Sequence, residues 1–409
     1  MMVLAITVGG APTPVIRSIT NWKPDHVVFF GSTDPKGGSV RLITERTEAG
    51  PSIVEATKLA KDQYTIVPLS NPDDLEGCFE IMLEKLSEAE ERFKPTEKLA
   101  DYTGGTKSMN AALVLAALFL GWDLALVTGP RGDLEKVRDG TETPMRVNTA
   151  NIKAAFLLPQ IKALYEAHQY SAAAIIVQDI LRLPGLSFEQ QQNFLNLNAL
   201  LQALSRWEMF RYPEAKSALS PLNRFFPELT VVLADLAETD EDGKPSYNHV
   251  ADLLENARRR AEEGRFDDAI IRLYRAIEFL AQARLLAAYG IDAGNVDLSK
   301  VPEPLAGELR SRAREGKPVD VGLFDAFRIL SALNDPVGKL FREKWEDRIK
   351  DLLGLRNKSI LIHGYRAATE EEWNRAHAMA CAFLEEAAKT LRIKLVTPEF
   401  PSWKEIPWT

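Results

Sequence analysis

Arg356, Asn357 and His363 stand in the run RNKSILIH at 356–363. These are residue types that RNA chemistry can use. RNA carries its own nucleophile, the ribose 2′-OH, so a catalyst has only to assist proton transfer and stabilise the extra charge on the phosphorane. Histidine suits the first task, with an unperturbed pKa of about 6.5 near neutrality. Arginine suits the second, because its planar fork is always charged. Such a reaction leaves a 2′,3′-cyclic phosphate and a 5′-hydroxyl and requires no metal; the sequence offers no cluster of metal-ligand residues. Seven residues along one helix return to within ~20° of the same face, about 10 Å further on. A helix through 356–363 would therefore let Arg356 reach toward the His363 imidazole, or toward a phosphate between them, with Asn357 orienting a neighbour. On spacing alone the plainer reading is stronger: a surface cation near a helix end and a histidine C-cap before Gly364. Among the other histidines, His377 sits on a separate helix without a partner pattern. His26 precedes a buried-looking strand, and His168 and His249 lie near helix ends. None of these carries chemistry on this reading.

A second segment, DYTGGTKSM at 101–109, lies between a short strand and a long helix. Gly104 and Gly105 permit a sharp turn and close approach of a ligand. Thr106 and Ser108 offer hydroxyls, and the N–H groups of the helix start favour an anion. Lys107 is an unusual choice there, since a cation in the first helical turn opposes the macrodipole by roughly 0.3–1 kcal/mol. A bound phosphate would reverse that sign; the plain alternative is a strand–turn–helix corner with a solvated lysine. Thr106 separates Gly105 from Lys107, which excludes a Walker A loop and NTP hydrolysis. Gly9-Gly10-Ala11-Pro12 lacks the third glycine of a dinucleotide fingerprint. That loop and the one at Gly31-Ser32-Thr33 are small and polar, and together with 103–108 they could cradle a nucleotide-like ligand.

The elements that must position these residues fall into two kinds. Apolar runs at 3–8, 26–30, 64–69, 99–102 and 124–128 alternate with helical stretches at 54–61, 73–93 and 107–120. This alternation predicts a parallel sheet covered on both faces, with ligands beyond the C-terminal strand ends. After about Val147 the pattern is helical throughout. Tyr170-Ser-Ala-Ala173, Tyr212-Pro-Glu-Ala215 and Phe266-Asp-Asp-Ala269 each open an amphipathic stretch, a helical-hairpin signature with irregular spacing. Residues 239–246 (TDEDGKPS) read as a linker. Helices are expected at 250–263, 266–289, 322–333, 339–362 and 370–391, followed by a Pro- and Trp-containing tail at 397–409. The 409 residues suit two or three domains. With 45% hydrophobic and 26% charged residues the chain reads as soluble and globular. No apolar run is long enough to span a bilayer, and residues 1–8 do not read as a signal peptide. The two cysteines, Cys78 and Cys381, exclude a disulfide framework and fit a reducing, cytoplasmic setting. A net charge of −8 argues against a broad nucleic-acid-gripping surface and for a local site.

Taken together, the two segments resemble known ones. DYTGGTKSM after a strand of an α/β domain resembles the signature of CARF domains, the sensor domains of CRISPR-associated proteins. RNKSILIHG resembles the HEPN ribonuclease motif of arginine, polar residue, short spacer and histidine, and residues 266–286 resemble an early HEPN helix. The chain thus resembles the CARF–HEPN accessory ribonucleases of type III CRISPR systems. The resemblance implies an α/β, Rossmann-like CARF domain with a parallel sheet core (1–148), an all-α helical region with hairpin repeats (149–245) and an all-α HEPN domain (246–409). It implies a homodimer that binds a cyclic oligoadenylate, of four or six adenylates, and then cleaves single-stranded RNA, with no cofactor, no metal and no membrane. Carried over, the activator site falls on Gly9, Gly10, Ala11 and Pro12, on Ser32 and Thr33, and on Thr103, Gly104, Gly105, Thr106, Lys107 and Ser108. The catalytic residues fall on Arg356, Asn357 and His363, with a spacer at the long end of the pattern. Two-fold pairing would bring two arginines and two histidines to one groove and match a symmetric ligand. The alternatives are a non-cleaving sensor or adaptor that binds RNA or a partner, and a CARF domain that also degrades its activator, with Thr106 or Ser108 positioning the 2′-OH.

Overall fold

The computed structural model describes residues 1–33, 38–48, 50–129, 143–241, 244–312, 317–362, 364–395 and 399–408. They form two compact units, Met1–Phe156 with Pro184–Leu186, and Leu157–Leu183 with Ser187–Thr409.

The first unit is built on strands β1 (Met2–Val8), β2 (His26–Ser32), β3 (Tyr64–Leu69), β4 (Glu97–Asp101), β5 (Asp123–Thr128) and β6 (Thr143–Val147). Their order in the sheet is β3-β2-β1-β4-β5-β6. The first five are parallel, as their apolar, helix-separated runs predict. β6 was not foreseen: it pairs antiparallel with β5 at the sheet edge, and its mostly solvent-facing TPMRV carries no apolar run to announce it. β1 is buried along its whole length, and its side chains alternate between two cores. Val3 and Ala5 pack with Val28 and Phe30 beneath α4 (Leu75–Phe93) and α5 (Lys107–Phe119), which contribute Met82, Leu86, Leu113 and Ala116. Leu4, Ile6 and Phe29 face the other layer, made by α1 (Pro12–Trp22), α2 (Arg41–Thr44) and α3 (Ile53–Thr57) through Val15, Ile19, Ile43 and Ile53. The chain runs from β1 outward to β3, then returns to β4 on the other side of β1. The β1/β4 border is therefore the topological switch point, where parallel sheets open a crevice.

In the second unit every regular element among the described residues is helical. α6 (Ala150–Glu166) leads into it, followed by α7 (Tyr170–Leu181), α8 (Phe188–Glu208), α9 (Tyr212–Leu219) and α10 (Pro227–Glu241). The expected linker at 239–246 is helical in its first part: α10 runs to Glu241 and α11 (Tyr247–Glu262) begins after residue 246, while residues 242–243 lie outside the described residues. α12 (Phe266–Tyr289), α13 (Leu305–Arg312), α14 (Leu323–Ala332), α15 (Pro336–Leu340), α16 (Glu346–Lys358) and α17 (Glu370–Leu391) complete it. Tyr170, Tyr212 and Phe266 each begin a helix, and Ala173, Ala215 and Ala269 are fully buried where the hairpin partner packs. α8 and α11 are joined through buried polar groups. Trp207 Nε1 and Tyr212 Oη donate to Asp252 at 2.7 and 2.8 Å, and Glu208 pairs with Arg259 and Arg260. The tail, of which 397–398 and 409 lie outside the described residues, closes over these helices. Tyr165 Oη donates to the Pro401 carbonyl at 2.5 Å, and Phe400 lies 4.0 Å from the Arg259 guanidinium. Among the described residues no helix is long and apolar enough to cross a membrane.

The expected helix over 339–362 is not continuous. After α15 the chain takes one π-helical stretch, Phe341–Trp345, before α16, and α16 stops at Lys358. Ser359 leaves the helix with φ −63°, ψ 139°. Its Oγ accepts from Leu361 N at 3.1 Å, and its carbonyl accepts from Ile362 N and Gly364 N at 3.0 and 2.9 Å. A serine that hydrogen-bonds its own backbone, followed by β-branched Ile360 and Ile362, competes with the helix and ends it.

Candidate functional site

At the C-terminal strand edge of the first unit, the loops after β1 and β4 pack backbone against backbone. A Cβ on Gly9 would lie 2.6 Å from Gly105 N, and one on Gly104 would lie 2.5 Å from the Thr7 carbonyl oxygen. Gly105 has φ +84°, in the region glycine alone enters freely. These glycines let the two loops meet at the switch point. Beside them opens a cavity of about 380 Å³, within the roughly 300–1,000 Å³ of small-ligand sites. Of the expected residues, Gly9, Gly10, Ser32, Gly105 and Thr106 line it. Ala11 and Pro12 are the N-cap and first residue of α1. Lys107 and Ser108 form the first turn of α5. Two helix N-termini thus border the cavity, each with a partial positive charge. Lys107 is exposed and has no carboxylate partner among the described residues.

Other expected residues hold the frame. Thr106 Oγ1 donates to the Pro72 carbonyl and accepts from Met109 N at 3.2 Å, so this hydroxyl caps α5. Thr103 Oγ1 donates to the Asp101 carboxylate and accepts from Val127 N at 2.7 Å, tying the loop to β5. Thr33 N and Oγ1 both donate to the Leu69 carbonyl, at 2.9 and 3.3 Å, which fixes the end of β2 on β3. Asp101 is fully buried. Burial pushes its carboxyl up from the usual range, opposed by hydrogen bonds from Ser18 Oγ at 2.5 Å and Thr103 N at 2.9 Å. Sequence reasoning missed Asp101, Ser39 and Arg41. Ser39 Oγ donates to the Val8 carbonyl at 2.6 Å and accepts from Ser32 N at 2.9 Å, closing one wall of the cavity. Arg41 opens α2 and lines the cavity, giving it a cation. The signal was there in GGSVR at 37–41, a glycine–serine turn with an arginine just beyond a strand end.

In the second unit, Arg356 and Asn357 occupy the last turn of α16. His363 lies outside the described residues. Because α16 ends at Lys358, the two-turn helical path from Arg356 to His363 does not exist; the intervening residues form a turn instead. Arg356 is half-buried, with its guanidinium carbon 4.8 Å from the Tyr274 ring centroid. Its Nη1 donates to Asn357 Oδ1 at 3.2 Å, while its Nε is buried with no hydrogen-bond partner among the described residues. No carboxylate among those residues pairs with it. After the turn, Ile360 N donates to the Arg366 carbonyl at 3.2 Å. Arg366 grips Glu372 through two bonds, at 2.9 and 2.5 Å, and Ala368 N donates to Asp267 Oδ2 at 2.9 Å. The segment is thus anchored at both ends, while Ile360, Leu361 and Tyr365 at its tip are exposed.

The remaining histidines are engaged in packing. His26 Nε2 meets Thr65 Oγ1 at 2.9 Å and its ring lies 4.2 Å from Phe93. His168 bonds Glu262 and Tyr170, at 2.7 and 2.9 Å. His249 Nδ1 accepts from Ser246 N at 3.2 Å. His377 lies 3.4 Å from Cys381 Sγ and against Trp373, and burial lowers its pKa.

Residues 239–386 match the family described as Csm6 HEPN domain. Among solved structures, Enterococcus italicus Csm6 bound to cyclic hexa-2′-fluoro-hexa-dAMP is similar over 96% of this chain and 95% of that one. The TM-score is 0.62 at 14% identity. Among curated proteins none matches the sequence. Residues 239–386 are thus similar to the Csm6 HEPN domain, and the chain as a whole shares the fold of the Enterococcus italicus protein.

Proposed function

We propose that this chain is a cyclic-oligoadenylate-activated, metal-independent endoribonuclease that cleaves single-stranded RNA in type III CRISPR antiviral defence. The observation that carries the reading is Arg356. It is a half-buried cation within the region similar to the Csm6 HEPN domain, and among the described residues no carboxylate neutralises it and its buried Nε–H has no partner. A phosphate or phosphorane oxygen is the group such a donor suits. In the proposed reaction the 2′-oxygen attacks the adjacent phosphorus and the P–O5′ bond breaks. His363 takes the 2′-OH proton, a second histidine returns one to the leaving 5′-oxygen, Arg356 offsets the phosphorane charge, and Asn357 orients Arg356.

One chain supplies one such histidine, so the second is assigned to a second copy. Two surfaces support pairing. On α5, positions 107, 111, 115 and 119 share one exposed face, and Leu115 and Phe119 on it are 44% and 75% exposed. On the second unit, the Ile360, Leu361 and Tyr365 tip is also apolar and exposed. Exposed apolar groups of this kind mark interfaces more often than isolated surface residues do. Csm6 from Enterococcus italicus was solved with a cyclic hexanucleotide analogue. We assign a cyclic tetra- or hexa-adenylate to the cavity at β1/β4, where two helix N-termini, Lys107 and Arg41 would meet its phosphates. The ring is larger than one such cavity holds, which fits a site completed by a two-fold mate. The test is incubation of purified protein with labelled RNA and each cyclic oligoadenylate, with and without a chelator, followed by analysis of the product ends. Activator-dependent, chelator-resistant cleavage giving cyclic phosphate ends is expected. Activator binding without RNA cleavage would make the chain a sensor or adaptor instead.

A further inference from the structure

Tyr274 lies on α12, far in sequence from Arg356, yet its ring supports that guanidinium at 4.8 Å. The carboxylate one turn further along α12, Glu278, is taken by Arg275. The arginine is therefore held by an aromatic face and by the Asn357 amide, both neutral. A carboxylate would hold it equally well but would cancel its charge. A ring attracts a cation through its quadrupole and leaves the charge intact. Burial first, and the charge of Glu278 next, hold the Tyr274 phenol above its usual pKa, so the ring stays neutral at working pH. Seven residues earlier, on the same face of α12, Asp267 accepts from Ala368 N at 2.9 Å. One helix face thus fixes the segment 356–368 at both ends, with His363 between them in sequence.

We propose that Tyr274 is a positioning residue for the RNA cleavage reaction: its ring fixes the Arg356 guanidinium without neutralising it, so that the charge and its N–H donors are presented to the scissile phosphate. This rests on the assignment of Arg356 as the group that offsets the phosphorane charge. The ring's contribution falls on the step in which negative charge develops, so it appears in kcat and not in KM.

The test is RNA cleavage by the full-length protein at saturating activator, comparing Tyr274→Phe, Tyr274→Leu, a series of fluorinated phenylalanines placed at 274, and Arg356→Ala. Tyr274→Phe keeps the ring and should stay within about 2-fold of the parent, while Tyr274→Leu should lower kcat by roughly 3- to 30-fold with KM little changed. Fluorination keeps the shape and drains the negative face of the ring, so kcat should fall stepwise with each added fluorine even if the leucine variant folds poorly. A flat response across the fluorinated series overturns the proposal, as does a Tyr274→Phe protein as slow as Tyr274→Leu. Arg356→Ala separates the two claims. Parent-like cleavage by that variant removes the arginine's role and the proposal with it. An inactive Arg356→Ala protein beside a flat fluorinated series removes Tyr274 alone.

Discussion

Two adjacent glycines should respond in opposite ways to the same methyl group. A Cβ on Gly9 would stand 2.6 Å from Gly105 N and 3.3 Å from Gly105 Cα, whereas one on Gly10 meets nothing within 4 Å. Ordinary contact begins at 3.4 Å, so Gly9→Ala must drive the loops after β1 and β4 apart by about 0.8 Å. Gly105 has little room to retreat: it holds φ +84°, and the site of its own Cβ lies 3.1 Å from Met109 Cε and 3.2 Å from Thr7 Cβ. Overpacking of this kind costs about 1–3 kcal/mol. For a unit of this size that lowers Tm by roughly 2–10 °C. If the distortion falls wholly on the binding geometry, it weakens activator binding by roughly 5- to 150-fold. Gly10→Ala should leave Tm within about 1 °C of the parent, since no packed feature is disturbed. Differential scanning calorimetry and an anisotropy titration with labelled cyclic oligoadenylate read the two effects. Equal Tm values for the two alanine variants would refute the claim that the loops meet backbone to backbone.

Lys107→Ala should raise the activator concentration needed for half-maximal RNA cleavage by about tenfold, the scale of one charge-assisted hydrogen bond; an unchanged activation curve removes its phosphate contact. Asp252 is buried between Trp207 and Tyr212, and burial pushes its carboxyl up to about 6. The folded state then binds a proton more readily than the unfolded one, whose pKa is about 3.9, so this group's contribution to stability falls as pH rises from about 4 to 6 and is constant above. Urea midpoints across that range should show the slope in the parent and lose it in Asp252→Asn. Glu372 behaves oppositely: Arg366 and the Thr369 N–H hold its carboxyl down at about 2. Its contribution is present above its unfolded pKa of about 4.3 and is lost as pH falls toward 2. Acid titration of Glu372→Gln should lack that loss.

Much of the architecture is legible because it repeats simple chemistry. The β1, β2 and β3 runs are apolar because both faces of the sheet are covered, and Tyr170, Tyr212 and Phe266 open helices because an aromatic and a small residue three positions on fit a hairpin. The glycines at 9, 104 and 105 announce a close approach, though their partners across the sheet do not show in the sequence. α1 escaped notice because Pro12 and Pro14 resemble a loop, although proline at a first helical turn is favourable. The end of α16 escaped because RNKSILI continues an apolar period that Ser359 interrupts locally. Ser39, Asp101 and Tyr274 meet partners distant in sequence, and no spacing rule joins Tyr274 to Arg356.

If the arginine–histidine segment cuts RNA under control of a ligand bound by the first unit, loss of its histidine must separate ligand binding from cleavage. The most direct measurement is cleavage of labelled single-stranded RNA by the parent and by His363→Ala, each with cyclic tri-, tetra- and hexa-adenylate. The parent should cleave only when one of these rings is present. His363→Ala should bind the same ring with the same affinity and leave the RNA intact. Undiminished cleavage by His363→Ala, or a parent whose rate no ring alters, would contradict the account.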